Sequence, residues 1–220
     1  EQLRAVKDES ELDAIKMAQR LTDLCFTHLL ESIKPGLTET QVEWMIESFF
    51  RENGAEKLAF SPICASGKRS SIPHGRPSSK VLEKGDFLTL DFGCVIDGYC
   101  SDMTRTIAFG NVTEEQKKVY KTVLEAQKAV CEAAAAGKTG LHLDGIARTI
   151  ISDCGYGAAF SHGTGHGVGL EVHEAPRISE RSADVLAANM VITIEPGIYL
   201  HNRFGVRIED LAIVQASNII

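Results

Sequence analysis

At 220 residues and 44% hydrophobic content, the chain can bury one sizeable core and is too apolar for a disordered or collagen-like polymer. A net charge of −7, with no run of Lys and Arg longer than two, disfavours nucleic acid or an anionic membrane as partner. With no signal pattern and no apolar run long enough to span a bilayer, the six cysteines, which form no C-x-x-C pair, are expected as free thiols in a reducing cytosol.

The predicted elements fall into two similar halves. A first helix runs roughly from Glu9 to Ser32, and a second, amphipathic helix lies between Gly36 and Gly54, followed by an apolar strand in F-S-P-I-C-A. Next come two alternating apolar runs around V-I-D-G-Y, which read as a hairpin. A third helix, roughly Thr113 to Ala136, opens on a T-E-E capping signal. The stretch Gly137 to Gly155 then repeats the Gly36 to Gly54 pattern at an offset of 101, with Thr38 matching Thr139 and Phe50 matching Ile151, and A-A-F-S-H is expected as its following strand. A second hairpin is centred near Asn202. Two helix-helix-strand halves imply an α+β fold, with pseudo-two-fold helices backing a curved, mostly antiparallel sheet.

Both hairpins carry acids in apolar surroundings. A two-residue Asp97-Gly98 turn sets Asp91 opposite Thr104 and Asp102 opposite Gly93; a longer loop sets Asp91 opposite Asp102. Either register puts both carboxylates on one sheet face, because side chains alternate with period two. A turn centred on Asn202 likewise sets Glu195 opposite Glu209. Unpaired carboxylates are costly to bury and repel one another unless cations neutralise them. His166 supplies a nitrogen, so Asp91, Asp102, His166, Glu195 and Glu209 form a candidate set for hard or borderline divalent ions in a two-metal hydrolytic centre. Three further histidines, His74, His162 and His173, lie in glycine- or proline-framed segments, whereas His28, His142 and His201 carry no such context.

The segments F-G-C-V-I-D-G-Y-C-S-D-M-T-R-T, F-S-H-G-T-G-H-G-V-G-L-E-V-H-E-A-P and I-T-I-E-P-G-I-Y, with V-R-I-E-D near the end, resemble the catalytic domain of the pita-bread metallopeptidases, in the prolidase and Xaa-Pro aminopeptidase branch. The resemblance implies the creatinase/aminopeptidase fold and the same five residues as metal ligands. It also implies His74, His162 and His173 on the substrate side, and makes Arg207, two residues before Glu209, a mark of the Xaa-Pro branch. The expected cofactors are two divalent ions, Mn²⁺ first, with Co²⁺ or Zn²⁺ as alternatives, and the expected partner is an Xaa-Pro peptide. Glu195 is the expected proton shuttle, and the three histidines are expected to hold substrate and intermediate. The rival readings are a methionine aminopeptidase-like specificity and a non-catalytic protein-binding module on the same fold. Residues 1–220 are read as a single catalytic domain from which the family's N-terminal domain is missing; a homodimer is compatible with that reading.

Overall fold

Strong local signals open the helices. In a computed structural model that describes residues 2–220, α1 (Gln2–Ala5) leads into α2 (Glu9–Ser32), whose first turn is closed by a reciprocal capping box between Asp8 and Glu11. The next helix, α3 (Glu39–Glu52), begins with the same device between Thr38 and Gln41. It stops before Gly54, whose φ of 90° is open to glycine without strain. The chain then forms β1 (Lys57–Leu58), β2 (Ile63–Ser66), a 3₁₀ turn at Gly67–Ser71, β3 (Phe87–Phe92), β4 (Cys94–Ile96), β5 (Tyr99–Cys100) and β6 (Met103–Ala108).

The second half repeats this plan. It comprises α4 (Glu114–Ala133), α5 (Gly140–Asp153), a 3₁₀ turn at Gly157–Ala159, and the strands β7 (Gly165–Gly167), β8 (Glu174–Ile178), β9 (Val191–Ile194), β10 (Gly197–Leu200), β11 (Phe204–Arg207) and β12 (Asp210–Ile213). The offset of 101 survives in three dimensions. Thr38 bridges Val81 just as Thr139 bridges Val185, and each threonine caps the helix that follows it.

Every strand pair is antiparallel. In the first half β2, β3 and β6 form one sheet, and in the second β12, β9, β7 and β8 form another. Each sheet is backed by its own helices. Leu29, Val42, Ile46 and Phe50 pack with Leu88, Leu90 and Phe92, whereas Val119, Val123, Leu143 and Ile151 pack with Ile192, Ile194 and Val206. Each of these side chains, fully withdrawn from water, contributes about 1.5–3 kcal/mol.

The hairpins adopt definite registers. Asp97 and Gly98 have φ of 49° and 79°, as a two-residue turn of the primed type requires, and Val95 faces Cys100. Asp91 therefore faces Thr104, the first of the two registers open to the sequence. In the second hairpin Gly197 faces Arg207 and Ile194 faces Asp210, so the same register on either side sets Glu195 against Glu209.

One expected strand is absent. Residues 158–162, A-A-F-S-H, are not a β-strand; a 3₁₀ turn is followed by irregular chain, and the strand begins only at Gly165. Phe160 plugs the core, but the carbonyls of Phe160 and His162 accept from Arg148 of α5 rather than from a neighbouring strand. All six cysteines are unpaired, Cys94 and Cys100 included. No helix among the described residues is long and apolar enough to cross a membrane.

Candidate metal centre

The two acidic hairpins meet at the seam between the halves. There Asp91, Asp102, His166, Glu195 and Glu209 all line one cavity of about 510 Å³. The ligand atoms of Asp102, His166 and Glu209 lie within 4.8 Å of one another. Nε2 of His166 is 3.2 Å from Oε1 of Glu195 and 3.7 Å from Oδ2 of Asp102. With its Nδ1 donating to the carbonyl of Gly167 at 3.0 Å, His166 turns Nε2 toward these carboxylates.

The donor set fits a divalent cation. Asp102 and Glu209 are 4% and 1% exposed, and Oδ1 of Asp91 is buried without a hydrogen-bond partner, a costly state that a cation would relieve. Burial, and then the neighbouring carboxylates, hold Asp102 and Glu209 well above the usual carboxylate range. Burial also raises Asp91, against the pull of Arg207. At Glu195 the same burial is outweighed by His166, with help from His162 and Arg207, and its carboxyl is brought down to about 2. One acid thus stays ionised while its neighbours resist losing their protons, as expected where positive charge is still owed.

Threonines orient the acids. Thr193 donates to Oε1 of Glu195 at 3.1 Å, and Thr104 donates to Oε2 of Glu209 at 2.6 Å. Both threonines were within reach of the sequence reading: Thr104 is the register partner of Asp91, and Thr193 lies on the same strand face as Glu195.

Arg207, 3% exposed, ties the seam together. It donates from Nη2 to Oδ2 of Asp91 at 2.5 Å, from Nε to Thr104 at 3.0 Å, and from Nη1 to Tyr199 at 2.7 Å and to the carbonyl of Pro73 at 3.1 Å. That last bond fixes the residue preceding His74, which is exposed at the pocket wall. Burial raises the Tyr199 phenol to about 12 even against Arg207, so it keeps its proton and can donate to Nε2 of His162 at 2.8 Å.

His162 is therefore engaged at both ring nitrogens, since Nδ1 meets the carbonyl of Gly163 at 2.7 Å. Burial lowers its pKa, which keeps the ring neutral, so a bond from His162 to a substrate has to exchange one of these partners. His173 differs. It is exposed on one side and stands edge-on to His166 on the other, with ring centroids 4.4 Å apart, and the partial desolvation there, then His166, lower its pKa. Tyr199 escaped the sequence reading, because a tyrosine in I-Y-L carries no mark of its distant partners.

Residues 13–216 match the model of metallopeptidase family M24. The chain belongs to that family. Among M24 relatives, it is 48% identical over 212 residues to an Xaa-Pro dipeptidase of Pyrococcus furiosus, covering 96% of this chain and 61% of the relative. An Xaa-Pro dipeptidase structure from Bacillus anthracis superposes with a TM-score of 0.99 at 47% identity, covering all of this chain and 62% of that one. An X-Pro aminopeptidase structure from Thermotoga maritima gives 0.97 at 44% identity, again with all of this chain and 62% of the other. The α+β pita-bread arrangement expected from the sequence is the fold of these M24 structures. The chain spans about three-fifths of the length of the curated relatives it matches.

Proposed function

We propose that the chain is a catalytic domain, spanning residues 1–220, of a cytoplasmic peptidase that uses two divalent ions, Mn²⁺ first, to hydrolyse the bond between an N-terminal residue and proline. The convergence of five ligand-type side chains on one cavity, with Oδ1 of Asp91 left without a partner, carries this reading. The kinship with Xaa-Pro dipeptidases supports the substrate class. Asp91, Asp102, His166, Glu195 and Glu209 would hold the ions, which when bound neutralise the carboxylates and polarise the scissile carbonyl.

The remaining work falls to side chains. Glu195, ionised and against Nε2 of His166, can take a proton from the attacking water and deliver it to the departing proline nitrogen, which carries no hydrogen of its own in the peptide. His173, exposed at the mouth, can donate to the oxygen that gains charge, and His74 can hold the peptide. Phe60, Pro62 and Val172 offer apolar wall to a proline ring, while Arg76 and Arg177 place positive charge on the lining.

The test is a comparison of three substrates with Mn²⁺: an Xaa-Pro dipeptide, an Xaa-Pro tripeptide and a Met-Ala-Ser peptide. Cleavage before proline, with about two ions per chain in protein purified without chelator, is the expected result. Preferential release of methionine would move the specificity to the methionine aminopeptidase type. No cleavage by folded, metal-loaded protein would favour a binding module.

A further inference from the structure

Behind the cavity, on α5, lies an ion pair that belongs to neither the candidate ligands nor the cavity wall. Asp144 is fully buried, and Arg148, one turn later on the same helix face, donates to it from Nε at 2.6 Å and from Nη2 at 3.3 Å. With Asp144 buried and Arg148 partly exposed, an ion pair of this kind adds little stability over an apolar replacement, so its stability alone gives no account of it.

The other contacts of the pair point to one segment. Arg148 donates from Nη1 to the carbonyl of Phe160 at 3.2 Å and from Nη2 to the carbonyl of His162 at 2.6 Å. Asp144 accepts from the backbone N–H and the hydroxyl of Thr164 at 3.0 and 2.8 Å. The guanidinium lies 4.5 Å from the centroid of the Phe160 ring, which in turn meets the His162 ring edge-on at 5.2 Å. Residues 160–164 run outside any strand, so these donors and acceptors stand in for a sheet neighbour and bracket His162 from both sides. A planar fork with five N–H donors suits that task, and a lysine does not.

The first half carries an analogous clamp, built at positions other than those the offset of 101 relates. Glu39, fully buried on α3, accepts from Ser66, Ser78 and Arg69, and Arg69 donates onward to the carbonyl of Arg76. That clamp encloses the loop bearing His74, as Asp144 and Arg148 enclose the segment bearing His162. Each half thus braces one substrate-side histidine from a buried helix carboxylate.

We propose that Arg148, locked by Asp144, is a positioning residue that sets the backbone and ring orientation of His162. The catalytic consequence rests on the peptidase reading above; the orientation itself does not. A misplacement of about 1 Å at a reacting group can cost about a hundredfold in rate, so the effect is large enough to measure.

The test is Arg148→Lys, which keeps the charge beside Asp144 but loses the fork, measured alone and in the His162→Ala background with Mn²⁺ and an Xaa-Pro dipeptide. The single variant is expected to lose about ten- to a hundredfold in kcat with little change in KM or metal content, and to cost nothing further once His162 is gone. Equal losses in both backgrounds, or a drop explained by lost metal, would overturn the proposal. Imidazole ¹⁵N spectra give a readout independent of turnover. The His162 signals should shift or split in Arg148→Lys while those of His74 and His173 hold still, and an unmoved His162 would overturn the proposal even if wild type cleaves nothing. Should Arg148→Lys fail to fold, Asp144→Asn is expected to give the same kinetic and spectral pattern, and a wild-type pattern there would overturn it.

Discussion

Replacing Arg207 with Met removes the cation paired with Asp91 at 2.5 Å and leaves a carboxylate inside the seam. Breaking a buried pair by deleting one partner costs about 3–5 kcal/mol. The carboxyl can escape by taking up a proton, however, and counted from an ordinary aspartate value near 3.9, at 1.36 kcal/mol per unit, that escape limits the charge penalty to no more than about 4 kcal/mol at pH 7 and about 1.5 kcal/mol at pH 5. The loss stays below both limits because burial already raises Asp91 in the wild type. The loss in metal-free protein should therefore be about 3–4 kcal/mol at pH 7 and less than half of that at pH 5. For a chain of this size the neutral-pH loss corresponds to a fall in Tm of about 6–16 °C, at about 2–4 °C per kcal/mol. A divalent ion beside Asp91 supplies the missing positive charge, so saturating Mn²⁺ should shrink the loss. Urea denaturation at both pH values, with chelator and with Mn²⁺, measures all four conditions. A loss below about 1 kcal/mol at pH 7 without metal, or the same loss at both pH values, would refute the claim that Arg207 chiefly neutralises Asp91.

Three other outcomes are expected. Asp102→Asn should lower Xaa-Pro cleavage by at least about a hundredfold and reduce bound metal while the fold survives; full metal content with near-normal turnover would remove Asp102 from the site. His173→Ala should lower turnover by roughly ten- to a thousandfold with metal content unchanged, and a variant that sheds metal would assign the ring a different role. The stabilisation conferred by Mn²⁺, read as a rise in Tm, should grow from pH 5.5 to pH 8. Asp102 and Glu209 have raised folded pKa values, so their protonated forms stabilise the metal-free fold at low pH, that contribution is lost as pH rises, and the same protons must leave before an ion binds. A rise in Tm that is constant or shrinks with pH would contradict the raised values.

What could be read before any coordinates were those features that local rules decide. The turn at Asp97 and Gly98 left Thr104 and Asp102 open as the partner of Asp91 but put both acids on one face in either register, and the turn around Asn202 set the partner of Glu209, because side chains alternate along a strand and hairpin register follows from turn length. The T-E-E capping signal at Thr113 marked a helix start within a residue of where it falls. A-A-F-S-H failed for the opposite reason. Its apolar content suited a strand, but tertiary contacts from Arg148 claimed its carbonyls. Tyr199 was invisible for the same cause, and so was the reach of the Asp144–Arg148 pair: its two members are four residues apart on α5, but the backbone they hold lies 12 to 20 residues further on, and no periodicity encodes a long-range polar contact.

The pseudo-two-fold relation of the halves is broken at one telling position. Asp91 lies in β3 and Glu195 just past the end of the corresponding strand β9, and Asp102 and Glu209 lie just ahead of corresponding strands β6 and β12, but His166 has Ala65 as its counterpart at the offset of 101. A perfectly symmetrical pocket would present the same donors to both sides. The single imidazole makes the two sides chemically unequal. An ion seated beside His166 meets a nitrogen donor, whereas one seated beside Asp91 meets oxygen and the repelling guanidinium of Arg207. On the two-ion reading proposed above, the pocket then fills in order rather than at once, and a half-filled species at sub-saturating metal would differ in chemistry from the filled one.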